Sequence, residues 1–173
     1  VIIYNKSFKG IDLSEVTLKG SIISSTDFTN ADFKNSNLEK ASFRYSNLTN
    51  AKFYKSKLKG VDFTNSNLQG VDLSNMDLSG ANFSNCDLVE TRLHGSNLTG
   101  ADLNNCNMSK MYLVDCNFRR ANLQGTNMKS STLHKVNFAF ANLTDADLSY
   151  ADLRLAFMPN CILTSTKLIG ANM

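Results

Sequence analysis

Residues 81–103 read ANFSN CDLVE TRLHG SNLTG ADL, and a large apolar residue returns at every fifth position of this stretch. The same frame runs through the whole chain. From position 3 to position 173 in steps of five, all 35 positions hold Leu, Phe, Met or Ile. A fixed short period of this kind is the signature of a repeat protein, and it outweighs local secondary-structure signals.

Each five-residue unit, or pentad, has five positions in order. They are a small position, an Asx position, the central position that holds the large apolar residue, and two further positions. The small position holds Ala, Ser, Thr, Cys or Val in 31 of 35 pentads, and the Asx position holds Asn or Asp in 22 of 35. A period of five matches neither a helix nor a strand, so we predict a chain that turns a corner in every pentad and points two residues inward. The exceptions at the small position are Lys6, Ile11, Met76 and Met111.

The Asx residues are expected at the corners. Asn and Asp side chains bond nearby backbone groups, and both residues tolerate unusual backbone dihedrals. Lys6 is a charged residue in an inward position, and we therefore expect a distorted first coil.

Phenylalanines add a second period. Phe43, Phe63 and Phe83 follow one another at a spacing of 20, as do Phe118 and Phe138, and we predict that these five form a core ladder. Offset stacking of rings on neighbouring coils favours such a spacing. Twenty residues, or four pentads, therefore make one coil of a β-solenoid. Two further pairs have the same spacing, Phe8 with Phe28 and Phe33 with Phe53.

Charged residues repeat at the same interval, which predicts surface ladders of alternating sign, each contact individually weak. The series are Asp32, Lys52, Asp72 and Arg92; Lys19, Glu39 and Lys59; and Asp147 with Lys167.

Ala31-Asp32-Phe33, Ala81-Asn82-Phe83 and Ala101-Asp102-Leu103 match the signature A(D/N)LXX. Over its whole length the chain resembles the pentapeptide-repeat family. The resemblance implies an all-β fold, a right-handed quadrilateral parallel β-helix with one pentad per face. Residues 1–173 would form a single domain of about nine coils of four pentapeptides.

Composition restricts the function and the location. Lys and Arg number 18 against 15 Asp and Glu, and a net charge of +3 is too mild to predict direct nucleic-acid binding. No apolar run approaches the roughly 18 residues of a membrane span, and Val1–Asn5 lacks the features of a signal peptide. We therefore expect a cytoplasmic bacterial protein with no membrane partner. Without an initiator Met or a capping segment, we also expect a trimmed chain or end-on stacking.

Residue types that are often catalytic or metal-binding occupy regular positions of the repeat. Ten of the 12 Asp occupy the Asx position, where Asn alternates with them, and His94 and His134 are predicted surface residues about two coils apart. Hence no catalytic residue, metal site, cofactor or small-molecule substrate is predicted. The four cysteines are expected to be reduced apolar fillers, because all lie at the small position without C-x-x-C spacing: Cys86, Cys106, Cys116 and Cys161.

Two surface features depart from the repeat. Segment 34–59 holds seven basic residues and only Glu39 as an acidic one, which favours either an acidic partner or a solvated face. Near the C-terminus outward positions become apolar, which predicts an interface, either a homodimer, an end-to-end association or a covered surface. These possible interface residues are Phe140, Tyr150, Leu155, Phe157, Ile162 and Ile169.

The sequence thus favours a non-enzymatic scaffold whose rigid sides bind an unidentified protein partner. The family resemblance implies one alternative, a DNA-mimicking resistance protein that binds a topoisomerase such as DNA gyrase. Such mimics are markedly acidic, and a net charge of +3 does not fit them. A second alternative is the repeat domain of a larger bacterial effector.

Overall fold

The computed structural model describes residues 1–173 and is built from parallel pairing between residues 20 apart. Strands β1 (Ile2–Tyr4) and β2 (Ile22–Ser24) pair in parallel, with Ile2 opposite Ile22. Beyond them, 27 isolated parallel bridges continue the same offset to the end of the chain. The phenylalanine spacing predicts this offset. No helix of the structure has the length and apolarity that a membrane span requires.

The pairing aligns pentads from successive coils into four strips, which we label by their first members. Strip A begins with residues 1–5, strip B with 6–10, strip C with 11–15 and strip D with 16–20. Each strip then continues every 20 residues along the stack of coils.

A β-turn closes almost every pentad. The N–H of the next small position donates to the central carbonyl, as from Ser21 to Leu18 at 3.0 Å. The second turn residue has a φ between 50° and 73° in every pentad except the one that ends at Glu90. This combination defines a type II turn, whose third residue favours Gly or Asn. The two positions after the central residue are therefore the corners.

The Asx residue does not lie at a corner. It takes part in the parallel bridges, and none of the Asx positions has a positive φ. Our expectation that Asn and Asp occupy the corners because they tolerate unusual dihedrals is therefore wrong. Their other property, side-chain bonding to nearby backbone, decides their position.

Asn and Asp side chains supply the one hydrogen bond that the coil backbone cannot. Within a pentad the central and second turn N–H groups donate to the next coil, the Asx N–H donates to the previous coil, and the small-position N–H closes the turn. The first turn N–H is left over. It donates to the Asx side chain, as from Thr144 to Asn142 at 3.1 Å and from Thr64 to Asp62 at 2.9 Å.

A continuous core of 43 buried residues runs along the inside of the coils. The five phenylalanine pairs spaced 20 apart have ring centroids 5.2–5.7 Å apart. Within the core ladder, Phe43 lies 5.7 Å from Phe63, Phe63 lies 5.4 Å from Phe83, and Phe118 lies 5.3 Å from Phe138. Buried hydroxyls at the small position donate to a central carbonyl one coil back, as from Ser66 to Phe43 at 2.6 Å.

The first coil keeps its register despite Lys6. The Lys6 carbonyl accepts from the N–H of Asp27 at 2.9 Å, while the side chain is exposed to solvent. The distortion that we expected is not seen: the turn bond from Lys6 to Ile3 is absent, but so are those from Val16 to Leu13 and from Thr26 to Ile23.

Large residues at the small position loosen the ladder. Met76 and Met111 occupy places that Ala or Ser fills elsewhere, where the coil walls approach most closely. We attribute the loss of backbone bonds beside these two residues to the bulky thioether, because packed interiors have no spare volume. Three parallel bridges of the 20-residue series are absent. Met76 directly precedes Asp77, which lacks its bridge to the previous coil, and Met111 directly precedes Tyr112, which lacks another. The third absent bridge involves the pentad that ends at Glu90. The three absent bridges are Lys57–Asp77, Asn67–Asp87 and Arg92–Tyr112.

Replacing Asn142 by Ala should destabilise the fold by about 1 kcal/mol, because the Thr144 N–H loses its acceptor. The free energy of unfolding in urea measures this. Asn142→Asp is the matched control, since it keeps the acceptor oxygen and should retain wild-type stability. Equal losses in both variants would show that the hydrogen bond is not the cause.

Replacing Met76 by Ala should let the coils close. The Leu58 N–H would then reach the Asp77 carbonyl and exchange with solvent more slowly in hydrogen-exchange measurements. Met128→Leu, a volume-conserving change at a central position, serves as the control and should leave Leu58 exchange unaltered. Unchanged Leu58 exchange in Met76→Ala would contradict the role of Met76 as a wedge.

Candidate interaction surface

The cysteines lie in the small inward position and are engaged in the fold. Cys106 Sγ donates to the Phe83 carbonyl at 2.9 Å, and Cys86 Sγ donates to the Phe63 carbonyl at 3.1 Å. Burial raises the pKa of Cys86 and of Cys116 to about 11, and it also raises the pKa of Cys106. A nucleophilic cysteine needs the opposite shift, toward the thiolate.

Several Asp carboxylates accept hydrogen bonds that lower their pKa. Hydrogen bonds from Ser149 lower the pKa of Asp147, and those from Thr29 lower the pKa of Asp27. A hydrogen bond from the Arg154 guanidinium lowers the pKa of Asp152 to about 2. A general acid near neutral pH requires a raised pKa, so these carboxylates have the character of structural groups.

The two histidines are half-buried and apart. His94 packs edge-on against Tyr112, with 5.9 Å between the ring centroids. Nowhere do three or more His, Cys, Asp or Glu side chains converge on a point that a metal ion could occupy.

The apolar C-terminal residues are all exposed, but they divide among the four strips. Phe140 and Phe157 share strip D and are 46% and 60% exposed. Tyr150 and Ile169 share strip B, where Ile169 accepts from the Tyr150 N–H. Ile162 lies alone on strip A and Leu155 alone on strip C, so among these C-terminal residues only strip D holds two aromatic side chains.

Cations surround the exposed rings. The guanidinium carbons of Arg119 and Arg120 lie 5.2 and 5.9 Å from the centroid of Phe140. Lys129 lies 5.8 Å from the Tyr150 ring. Such contacts contribute about 0.5–1 kcal/mol at exposed sites, and they hold the guanidinium groups beside the aromatic surface.

The predicted charge ladders form only in part. Within 4 Å, Arg92 meets Asp72 and Lys19 meets Glu39 along the coil stack. Lys34 instead pairs with Asp32 of its own pentad, because the two side chains extend from neighbouring positions of one strip. The other ladder neighbours, including Lys167 with Asp147, do not form ion pairs.

Most of the basic segment lacks acidic partners. Of its seven cations, Lys34 pairs with Asp32 and Arg44 with Asp62. The remaining five lysines have no carboxylate within 4 Å: Lys40, Lys52, Lys55, Lys57 and Lys59.

A surface groove of about 900 Å³ lies where Met76 loosens the coils. Its walls include Lys52, Tyr54 and Lys55 on one side and Asp72 and Asp77 on the other. Charges of both signs line it, and the hydroxyl of Ser74 in its wall donates to the Asp72 carboxylate. The only sequence signal for the groove was the methionine in a small position.

Sequence and structure comparisons agree on the fold. A family model described as a pentapeptide repeat region matches residues 2–73, 26–103 and 66–134, and a second, described as pentapeptide repeats, matches residues 141–173. The chain belongs to the pentapeptide-repeat family. A search of curated proteins finds no significant match.

Two solved pentapeptide-repeat structures illustrate the likeness. HetL, involved in heterocyst differentiation regulation in the cyanobacterium Nostoc sp. strain PCC 7120, is 24% identical with a TM-score of 0.74, and the alignment covers 99% of this chain and 86% of HetL. QnrB1, a plasmid-mediated fluoroquinolone resistance protein, is 18% identical with a TM-score of 0.54, covering 95% of this chain and 89% of QnrB1. At these identities the likeness establishes the β-helix fold alone.

Cysteine alkylation should distinguish the half-buried Cys161 from the three buried cysteines. At pH 8 a thiol with a pKa of about 11 is roughly one part in a thousand thiolate, so Cys86 and Cys116 should react far more slowly than Cys161. Their labelling should accelerate as the pH rises toward 11. Peptide mass spectrometry after iodoacetamide treatment measures the rates.

Labelling in urea is the control, and all four thiols should then react at similar rates. Similar rates in the folded protein at pH 8 would contradict the protection that burial provides.

Proposed function

We propose that the protein is a non-enzymatic scaffold whose rigid sides bind another protein. The observation that carries the proposal is the presence of two exposed aromatic residues on one strip, Phe140 and Phe157, with two arginines beside Phe140. Aromatic and Arg residues dominate binding energy in protein interfaces. On this reading the apolar outward residues are the interaction site.

The use of the polar residues within the fold supports the absence of catalysis. The Asx side chains complete the turns, and the buried thiols donate to core carbonyls. Every pentad has five residues, so no loop leaves the coil to build a cleft, which is where catalytic residues usually gather.

The overall shape belongs to the same proposal. Four turns in each 20-residue coil describe a four-sided rod, and 35 pentads make nearly nine coils. At roughly 4.8 Å per coil the rod is about 40 Å long. We infer the right-handed sense of the family and a single domain over residues 1–173.

A DNA-mimicking role receives less support. QnrB1 has the same fold, but a mimic of duplex DNA needs a strongly acidic surface, and this chain has a net charge of +3. Strip D has a formal charge of +4, which is also the wrong sign for a surface that replaces DNA.

Phe157→Asp should abolish partner binding and any self-association made by strip D. Tyr112→Asp is the matched control, since Tyr112 is 61% exposed and Phe157 60%, but Tyr112 lies on strip C. Sedimentation measures the oligomeric state, and affinity capture with mass spectrometry identifies partners. If both variants retain the wild-type state and partners, the aromatic pair is not the interface.

A further inference from the structure

The positive charge of the protein is concentrated on one strip. Strip D carries six basic and two acidic residues, a formal charge of +4. Strips A, B and C carry −2, +1 and 0, so without strip D the chain would be slightly acidic. The charged residues of strip D are Lys19, Glu39, Lys40, Lys57, Lys59, Asp77, Arg119 and Arg120.

Most of these cations are free of carboxylates. Lys19 pairs with Glu39 at 2.7 Å, and the Asp77 carboxylate accepts a hydrogen bond from Asn97 at 3.1 Å. The other five cations of the strip form no ion pair within 4 Å. Ion pairing within the fold therefore does not account for their presence, and a surface charge excess steers oppositely charged partners.

The unpaired cations form two groups on a low surface. Lys40, Lys57 and Lys59 lie toward the N-terminal coils, and Arg119 and Arg120 lie three coils beyond Lys59, at roughly 14 Å. Residues 79, 80, 99 and 100 between them are Ser, Gly, Thr and Gly. Short side chains in this stretch leave both groups accessible to one flat partner.

The arginine group adjoins an apolar anchor. Phe140 lies under both guanidinium groups, and Phe157 and Pro159 follow on the next coil of the same strip. Interfaces combine a desolvated aromatic centre with a charged rim that sets partner choice and association rate. Strip D has both parts in sequence along one surface.

We propose that strip D docks an acidic protein surface, with the lysines and arginines meeting its carboxylates and Phe140 and Phe157 entering an apolar contact. The proposal rests on the scaffold function and adds the chemistry of the partner. Nucleic acid is disfavoured, because Glu39 and Asp77 lie within the strip and phosphate binding relies on many uncompensated cations. The apolar anchor also suits a protein better than a phosphate backbone.

Binding of fluorescent poly-L-glutamate at low salt tests the charge component. Lys57→Glu/Lys59→Glu should weaken binding by roughly tenfold or more. Lys110→Glu/Lys135→Glu on strips B and C is the matched control, because it makes the same change in net charge, and it should weaken binding less than about twofold. Binding should decline in roughly 0.3 M salt, since exposed charges are screened.

Equal losses in the two charge-reversed pairs would overturn the proposal, because net charge rather than strip D would then govern binding. Lys57→Gln/Lys59→Gln is included in case Lys57→Glu/Lys59→Glu misfolds, and it should give an intermediate loss of poly-L-glutamate binding. Unchanged binding in this variant would also overturn the proposal. A DNA duplex could bind more tightly than poly-L-glutamate and lose this binding in the Lys57 and Lys59 variants. The partner of strip D would then be nucleic acid and not an acidic protein.

The scaffold function can fail or survive separately. Phe157→Asp could lose self-association or partners while the strip D charges have no effect on poly-L-glutamate binding. This result would support the scaffold function and contradict the acidic partner. Loss of poly-L-glutamate binding in the lysine variants, with Phe157→Asp still like wild type, would keep the basic surface and remove the aromatic interface.

Discussion

Backbone hydrogen bonds between neighbouring coils hold each coil to the next, and the rest of the structure depends on them. Four of the five amides in a pentad find backbone partners in this way or in the turn. The fifth has none, and a buried or half-buried amide without a partner is costly. Asn and Asp therefore recur because they complete this pattern, which gives many of the carboxylates a structural role.

The register of the coils was predictable because it determines the spacing of the largest side chains in the sequence. Rings such as Phe43 and Phe63 stack only when their coils are neighbours, so their spacing in sequence reports the length of a coil. The corners were less predictable. Asn occurs both at the Asx position and at the positive-φ turn position, and composition alone does not separate an acceptor role from a conformational one. Only the backbone geometry shows that the two roles belong to different positions.

Side-chain contacts on the surface were the hardest to predict, since the 20-residue period assigns each residue to a strip but does not select its partner. Lys34 has candidate partners both along the stack and within its pentad, and the nearer Asp32 is the one it contacts. The apolar residues near the C-terminus look like one cluster in sequence, yet the coil distributes them over four strips. Strip D becomes distinctive only when residues far apart in sequence, such as Lys59 and Arg119, are aligned by the 20-residue pairing.

Departures from the repeat are informative where their structural cost is low. Strip B keeps Asn or Asp at every Asx position from Asp27 to Asp147, whereas strip D replaces it with Lys57 and Phe157. At Phe157 the replacement loses no hydrogen bond, because the residue that would need the acceptor is Pro159, which has no N–H. Proline also suits the first corner of a type II turn. The fold thus frees an outward position for a large aromatic side chain at little cost, which agrees with the binding role that we propose for strip D.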